Sequence, residues 1–285
     1  MAVRFLQKAL PSVNNLQPKI EAIAIRGNVD TRLQKLTDGQ YDGIILAVAG
    51  LNRLLRYTPA IDLVGRLLNG KRIMVLPLIE CPPAAGQGVV VAETTTDNVD
   101  AKQLLESVND GALLDDVRQE RAMAANYGAG CHQQFGVVHV SSPELSFTYG
   151  AGIDNLGRAF EKYYPHPSLV AKGKRVFSAG DHMKSFFRYS YPSVSSPPPV
   201  TKALFVGSQH ALQSNQHIEV AGRYRIWAAG TKTWTELAKM GLWVEGCADA
   251  LGLESIESWL SSPVIGLSRD EITILTDSDG AVSWK

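Results

Sequence analysis

The chain has 285 residues, of which 45% are hydrophobic and 20% charged, enough apolar side chain to bury real cores and to exclude wholesale disorder. Lys+Arg and Asp+Glu both number 28, so the formal net charge is zero and the global basic footprint of a nucleic-acid binder is absent. The three cysteines, Cys81, Cys131 and Cys247, form no CxxC pair, which argues against a disulfide framework or a metal knuckle and fits a cytoplasmic protein. No apolar run approaches the roughly 18 residues of a membrane helix, and MAVRFLQKALPSV lacks the apolar core of a secretory signal.

Taken in chain order, the opening segment reads as helix to about Leu16. IEAIAI (Ile20 to Ile25) reads as a short strand, and LQKL as part of a helix closed by Gly39. In YDGIILAVAGLNRLLRY, IILAV reads as a buried strand that turns at Ala49-Gly50 into a helix carrying Arg53 and Arg56. IMVLPLI (Ile73 to Ile79) and VVVAET (Val89 to Thr94) are two further apolar strands, broken by CPPAAGQG. Leu104, Leu105, Val108, Leu113, Leu114 and Val117 recur at helical spacing between Asp97 and Asn126. FGVVHV and LSFTYGAG read as paired strands turning at Ser141 to Pro143. SYPSVSSPPPV is a Ser/Pro-rich linker; beyond it ALFVGS, RIWAAG and ITILTD read as strands, with TWTELAKM and SIESWL as helices. The alternation predicts an α/β fold.

Three constellations carry chemistry. Arg26-Gly27-Asn28-Val29-Asp30-Thr31-Arg32 sits where a strand gives way to a helix; its two guanidinium forks and helix-start amides suit carboxylates or phosphates, though the same arginines also read as solvated ion-pairing groups. Arg53 and Arg56 follow a second strand-to-helix turn, the place where open α/β sheets gather ligands. Pro82-Pro83-Ala84-Ala85-Gly86-Gln87-Gly88 reads as an inter-strand hinge or a close backbone approach. Gly128-Ala129-Gly130-Cys131-His132 places a thiol in a glycine-rich loop after a helix, where His132 and Arg121 are sources of a field that would favour a thiolate; an inert loop cysteine is the other reading. Cys81 and Cys247 lie beside apolar segments and read as small core residues.

Together, IRGNVDTRLQKLTDGQYDGIILAVAGLNRL, PPAAGQG and ERAMAANYGAGCHQQFG closely resemble porphobilinogen deaminase (hydroxymethylbilane synthase) over about Ile20 to Gly136. That family joins four porphobilinogen units head to tail, with loss of ammonia, on a dipyrromethane cofactor held by a thioether. The resemblance implies that Cys131 carries the cofactor next to Gly130, that Arg26 and Arg32 bind cofactor and substrate carboxylates, and that Arg53 binds a substrate carboxylate. Ala129-Gly130 stands where the family has a double glycine. The resemblance begins inside the family's second domain, so the catalytic aspartate of the first matches no residue here; Asp30 and Asp42 do not occupy its place. It also implies that Val89, Val90 and Val91 present an unpaired apolar strand.

After about Lys172 the sequence changes character. Ser208 and Gly230 to Thr233 match in kind the Ser/Thr-rich strand end and Gly-x-x-Thr turn of uroporphyrinogen-III synthase, over roughly Ala203 to Gly280. The resulting expectation is a deaminase domain 2-like lobe at 1–96, a domain 3-like lobe at 97–178, a linker at 179–200 and a synthase-like partial lobe at 201–285. The expected function is the hydroxymethylbilane step of tetrapyrrole biosynthesis, by a fragment, a split enzyme with a partner chain supplying the first domain, or a degenerate homologue. The alternatives are a uroporphyrinogen-III synthase activity in the C-terminal lobe and a non-catalytic pyrrole-binding or structural homologue. Neither metal, nucleic acid nor membrane enters this expectation.

Overall fold

The computed structural model describes residues 1–11, 16–128, 134–141, 145–166, 201–212 and 214–276. It divides into two compact units, Met1–Glu80 with Ser193–Lys285, and Cys81–Pro192.

In the first unit, α1 (Ala2–Ala9) stops well short of Leu16, because Leu10 precedes Pro11 and takes an extended conformation (φ −78°, ψ 139°). Its buried face is Phe5 and Ala9. Phe5 meets Trp234 edge-on with ring centroids 5.0 Å apart, and Trp234 Nε1 donates to the Ala9 carbonyl at 3.2 Å. Helices α2 (Val29–Thr37), α3 (Val48–Leu54) and α4 (Thr58–Leu68) share a small core of Leu33, Leu51, Val64 and Leu67. Pro59 lies in the first turn of α4, where its missing N–H costs no helical bond.

The same unit holds a parallel sheet of order β6-β5-β4-β7, built from β4 (Ala203–Val206), β5 (Arg225–Ala228), β6 (Gly246–Cys247) and β7 (Ile272–Leu275). Helices α7 (Asn215–Ala221), α8 (Thr231–Lys239) and α9 (Glu257–Leu260) accompany it. All four residues of β4 are buried, as befits a parallel strand covered on both faces. The period of two sorts its side chains: Leu204 and Val206 enter one core, Ala203 and Phe205 the other. The expected strands ALFV, RIWA and ITIL and the expected helix TWTELAKM are all present, and the α/β expectation holds.

Four apolar runs expected as strands are not strands. Residues 20–25, 44–47, 73–79 and 89–94 have neither helical nor ladder hydrogen bonding. A strand is a pairing rather than a property of an apolar run, so apolarity alone does not make one. Residues 73–76 come nearest. Val75 N donates to the Glu245 carbonyl at 2.6 Å, Met74 and Leu76 pack on one core, and Ile73 and Val75 on the other. Val90 and Val91 are instead 77% and 68% exposed.

In the second unit, the helical stretch expected from Asp97 to Asn126 is two helices, α5 (Val99–Ser107) and α6 (Gly111–Ala125). The break has a cause: the Asp110 carboxylate accepts from Leu113 N at 3.0 Å and caps α6, as Asn98 caps α5 through Ala101 N. β1 (Gln134–Ser141), β2 (Ser146–Ile153) and β3 (Ala159–Pro165) form an antiparallel meander in that order. FGVVHV and LSFTYGAG pair as expected, from Gln134 opposite Ile153 to Ser141 opposite Ser146. The expected turn residues Ser142 and Pro143 and the SYPSVSSPPPV linker lie outside the described residues.

Candidate functional site: an arginine-bearing helix start

The Arg26–Arg32 motif folds into a loop and the first turn of α2. Gly27 adopts φ +118°, a backbone conformation that favours glycine, and a Cβ there would sit a tight 3.0 Å from the Thr31 methyl carbon. Two cations of α2 clasp this loop from behind. Arg32 Nε donates to the Gly27 carbonyl at 2.7 Å, and Lys35 Nζ to the Arg26 carbonyl at 3.1 Å. Arg32 thereby uses the side of its fork on the chain and leaves the terminal nitrogens for a ligand. Arg26 is exposed, and among the described residues neither Arg26 nor Arg32 forms an ion pair. Asn28 stands at the N-cap with no side-chain cap bond, and Asp30 lies in the first turn, where the helix dipole favours an acid.

The structure also brings the starts of α2 and α3 together: a Cβ on Gly50 would lie 3.7 Å from a Val29 methyl. Arg53 occupies the last turn of α3 and is exposed, and Arg56 falls in the turn beyond the helix. The sequence motif thus becomes two neighbouring helix starts, with Arg26 in the loop before α2, Arg32 on α2 and Arg53 on α3. Exposed guanidinium groups beside uncapped amides suit a polycarboxylate such as dipyrromethane.

The second unit contains the other motifs. Cys131 and Gly130, with His132, lie outside the described residues, and Arg121 is exposed on α6. The segment holding Cys131 is bracketed by Tyr127 and Phe135, both of which meet Phe160 of β3. Tyr127 stacks on Phe160 at 3.7 Å with planes 3° apart, and Phe135 meets Phe160 at 5.5 Å. The PPAAGQG loop is a site of close approach: a Cβ on Gly136 would lie 1.9 Å from the Pro82 carbonyl oxygen, and Val137 N donates to the Pro83 carbonyl at 2.8 Å. Glu120 ties the same loop to β1, accepting from Gly86 N at 2.7 Å and from His139 N at 3.1 Å. Burial raises its carboxyl above the usual range, against these two amides, which lower it.

Sequence reasoning passed over Glu120 although it lies inside the quoted ERAMAAN motif. A carboxylate mid-helix reads as solvated surface, and only its aim at two amides reveals its use. Of the other cysteines, Cys81 is half-buried, while Cys247 is buried and its thiol is pushed up to about 12, chiefly by burial. Among the described residues no three His, Cys, Asp or Glu side chains could hold a metal, and no helix is long and apolar enough to cross a membrane.

Comparison with known proteins bears on this geometry. Residues 8–103 match the family described as porphobilinogen deaminase, dipyromethane cofactor binding domain. Among curated relatives, the chain is 36% identical over 161 residues to the probable porphobilinogen deaminase of Pyrobaculum islandicum, covering 56% of this chain and 50% of that protein. It is 37% identical over 131 residues to the porphobilinogen deaminase of Roseiflexus sp. RS-1, covering 46% of this chain and 39% of that protein. It is 40% identical over 112 residues to the probable porphobilinogen deaminase of Hyperthermus butylicus, covering 39% and 33%. The chain spans at most about half the length of these relatives. Arg26, Arg32 and Arg53 all fall inside the span, residues 8–103, that is similar to the dipyromethane cofactor binding domain of porphobilinogen deaminase.

Proposed function

We propose that this chain is the cofactor-bearing part of a hydroxymethylbilane synthase, acting in tetrapyrrole biosynthesis to condense four porphobilinogens. The observation that carries the reading is the arginine-bearing start of α2, which lies within the cofactor-binding family match. In this reading Arg26 and Arg32 hold cofactor carboxylates, Arg53 holds a substrate carboxylate, and Cys131 forms the thioether beside Gly130. The dipyrromethane, when bound, primes and tethers the growing chain. Tethering makes each addition effectively intramolecular. The lobes at 1–96 and 97–178, the linker at 179–200 and the lobe at 201–285 belong to the same reading. So do a cytoplasmic location and a partner chain carrying the rest of the family's length with its catalytic aspartate.

The test is an intact mass under denaturing conditions. An excess of two linked pyrrole units, mapped to Cys131 and lost in Cys131→Ser, is the expected result. The same excess in Cys131→Ser would sink the cysteine assignment. Arg26→Leu is expected to stop cofactor assembly, since it removes a carboxylate partner. Turnover measured with and without an added N-terminal half of the family then tests the partner chain.

A second reading concerns the C-terminal lobe. The parallel strand β4 leads to Ser208, and β5 leads to Gly230, which opens α8; this is where open parallel sheets bind ligands. That placement supports a synthase-like lobe acting on the deaminase product. Conversion of added hydroxymethylbilane to uroporphyrinogen III, lost on deleting residues 201–285, would support it; no conversion above the spontaneous rate would end it.

A further inference from the structure

A cluster of titratable side chains lies on the three-stranded sheet of the second unit, independent of the reading above. The Thr148 hydroxyl, 3% exposed on the central strand β2, sits between two imidazoles. Its Oγ1 is 2.8 Å from His139 Nδ1 on β1 and 2.9 Å from His166 Nε2, just past the end of β3. The two rings lie 5.2 Å apart. On its other side, His139 Nε2 faces Ser146 Oγ at 3.4 Å and the Asp116 carboxylate of α6 at 3.8 Å. Glu120, also on α6, accepts from the His139 amide rather than from its ring. These are the titratable groups facing His139 from the elements packed on it: Asp116 and Glu120 from α6, and His166 from the end of β3.

A hydroxyl has one hydrogen to give and two lone pairs to receive. With both imidazoles neutral, His166 Nε2–H donates to Thr148 and Thr148 O–H donates to His139 Nδ1. This leaves the His139 proton on Nε2, facing Asp116 and Ser146, and the reverse order would aim a bare nitrogen lone pair at the carboxylate. One added proton on His139 can be absorbed by reversing the chain: Nδ1–H now donates to Thr148, which donates to a His166 that has moved its own proton to Nδ1. A second proton cannot be absorbed. Both rings then donate to one oxygen, the Thr148 hydrogen has no acceptor at a site closed to water, and two cations face each other across it.

We propose that Asp116, His139, Thr148 and His166 form a proton-counting latch that holds the end of the outer strand β3 on β2 at neutral pH and releases it when both histidines are charged. The main-chain bond at stake is His166 N to the Ser146 carbonyl, 2.8 Å, at the outermost point of the sheet. Burial lowers the affinity of His139 for its proton, against the opposing field of Asp116, which places the release on the acid side of neutrality.

The test is an imidazole NMR titration of the intact chain together with amide hydrogen exchange along β3, from about pH 8 to about pH 5. Protection at Tyr164 and His166 should fall about tenfold or more only where the spectra show both rings charged, while Gln134 to Ser141 stay protected. His166→Gln, at a half-exposed position, should retain the fold and flatten that pH dependence; Thr148→Val should lose the protection at every pH. Protection at Tyr164 and His166 independent of pH in the wild type would overturn the latch. So would a pH dependence unchanged in His166→Gln, which serves as the deciding variant should Thr148→Val fail to fold.

Discussion

The parallel sheet of the first unit and the α5–α6 layer of the second both carry apolar side chains but treat them oppositely. On β4 every side chain is buried, and Trp227, Trp234 and Phe205 are almost wholly enclosed. On α5 no residue is buried; Leu104 is 68% exposed, and Val108, just past the helix, 74%. The sequence carries a helical stripe of leucines and valines in the second region and short strand-like apolar runs in the first. The difference teaches that an apolar stripe specifies a face, whereas burial requires a second face to meet it. In the first unit the meeting face comes from far along the chain, since Phe5 and Ala9 close over Trp234. In the second, α6 buries only Met123 and Ala124, its Glu120 and Asp116 meet β1 through polar contacts, and the more N-terminal leucines remain outside.

Four experiments break or sharpen this contrast. The largest effect is expected for Trp234→Ala, which empties a fully buried site, removes the edge-on partner of Phe5 and orphans the Ala9 carbonyl; the cost should be about 3–5 kcal/mol by denaturant unfolding. Next is Glu120→Ala. It strands two amides where α6 fastens the PPAAGQG loop to β1, at about 1–3 kcal/mol, read as a fall in the unfolding midpoint. A stability near wild type would mean that water replaces the carboxylate without penalty.

The third concerns pH. Burial raises the carboxyls of Glu120 and Asp116 above their ordinary 4.5 and 3.8. A raised carboxyl binds its proton more tightly in the folded state. Its contribution is therefore complete below the ordinary value and is lost as pH rises through the folded value. Glu120→Gln should remove its share of that decline, giving a shallower stability-versus-pH curve just above pH 4.5; a slope equal to wild type would refute the assignment. The smallest effect is expected for Val90→Lys and Val91→Lys. Neither residue is covered in this chain, so each should shift stability by no more than about 0.5 kcal/mol while improving solubility. A larger loss would show that the exposed run is covered in solution.

Legibility followed the range of the interaction. Capping, proline stops and pairing of adjacent strands are local, and the second-unit hairpin and the helix TWTELAKM could be read directly. Even so, the break between α5 and α6 needed Asp110 to be recognised as a cap rather than a surface acid. The four runs misread as strands failed for a single reason: the pairing partner of a strand is not written in the run itself. The arginine motif was legible because chemistry and backbone coincide there; Gly27 is needed at φ +118°, with Arg26 just before it and Arg32 near the start of α2. Glu120 and the His139–Thr148–His166 chain were not, because each depends on side chains brought together by packing across α6 and the meander.

By itself, then, the sequence determined the α/β character, the presence of several helices, three of the four strands of the parallel sheet and the arginine-bearing loop, since propensity, turn chemistry and motif act over a few neighbouring residues. Tertiary structure alone decided which apolar runs pair and which stay bare, that Arg32 spends one nitrogen holding Gly27, and that Glu120 and Thr148 become junctions. Those outcomes rest on hydrogen bonds and contacts whose second partner lies on another element, and a partner's position is set only when the chain is folded.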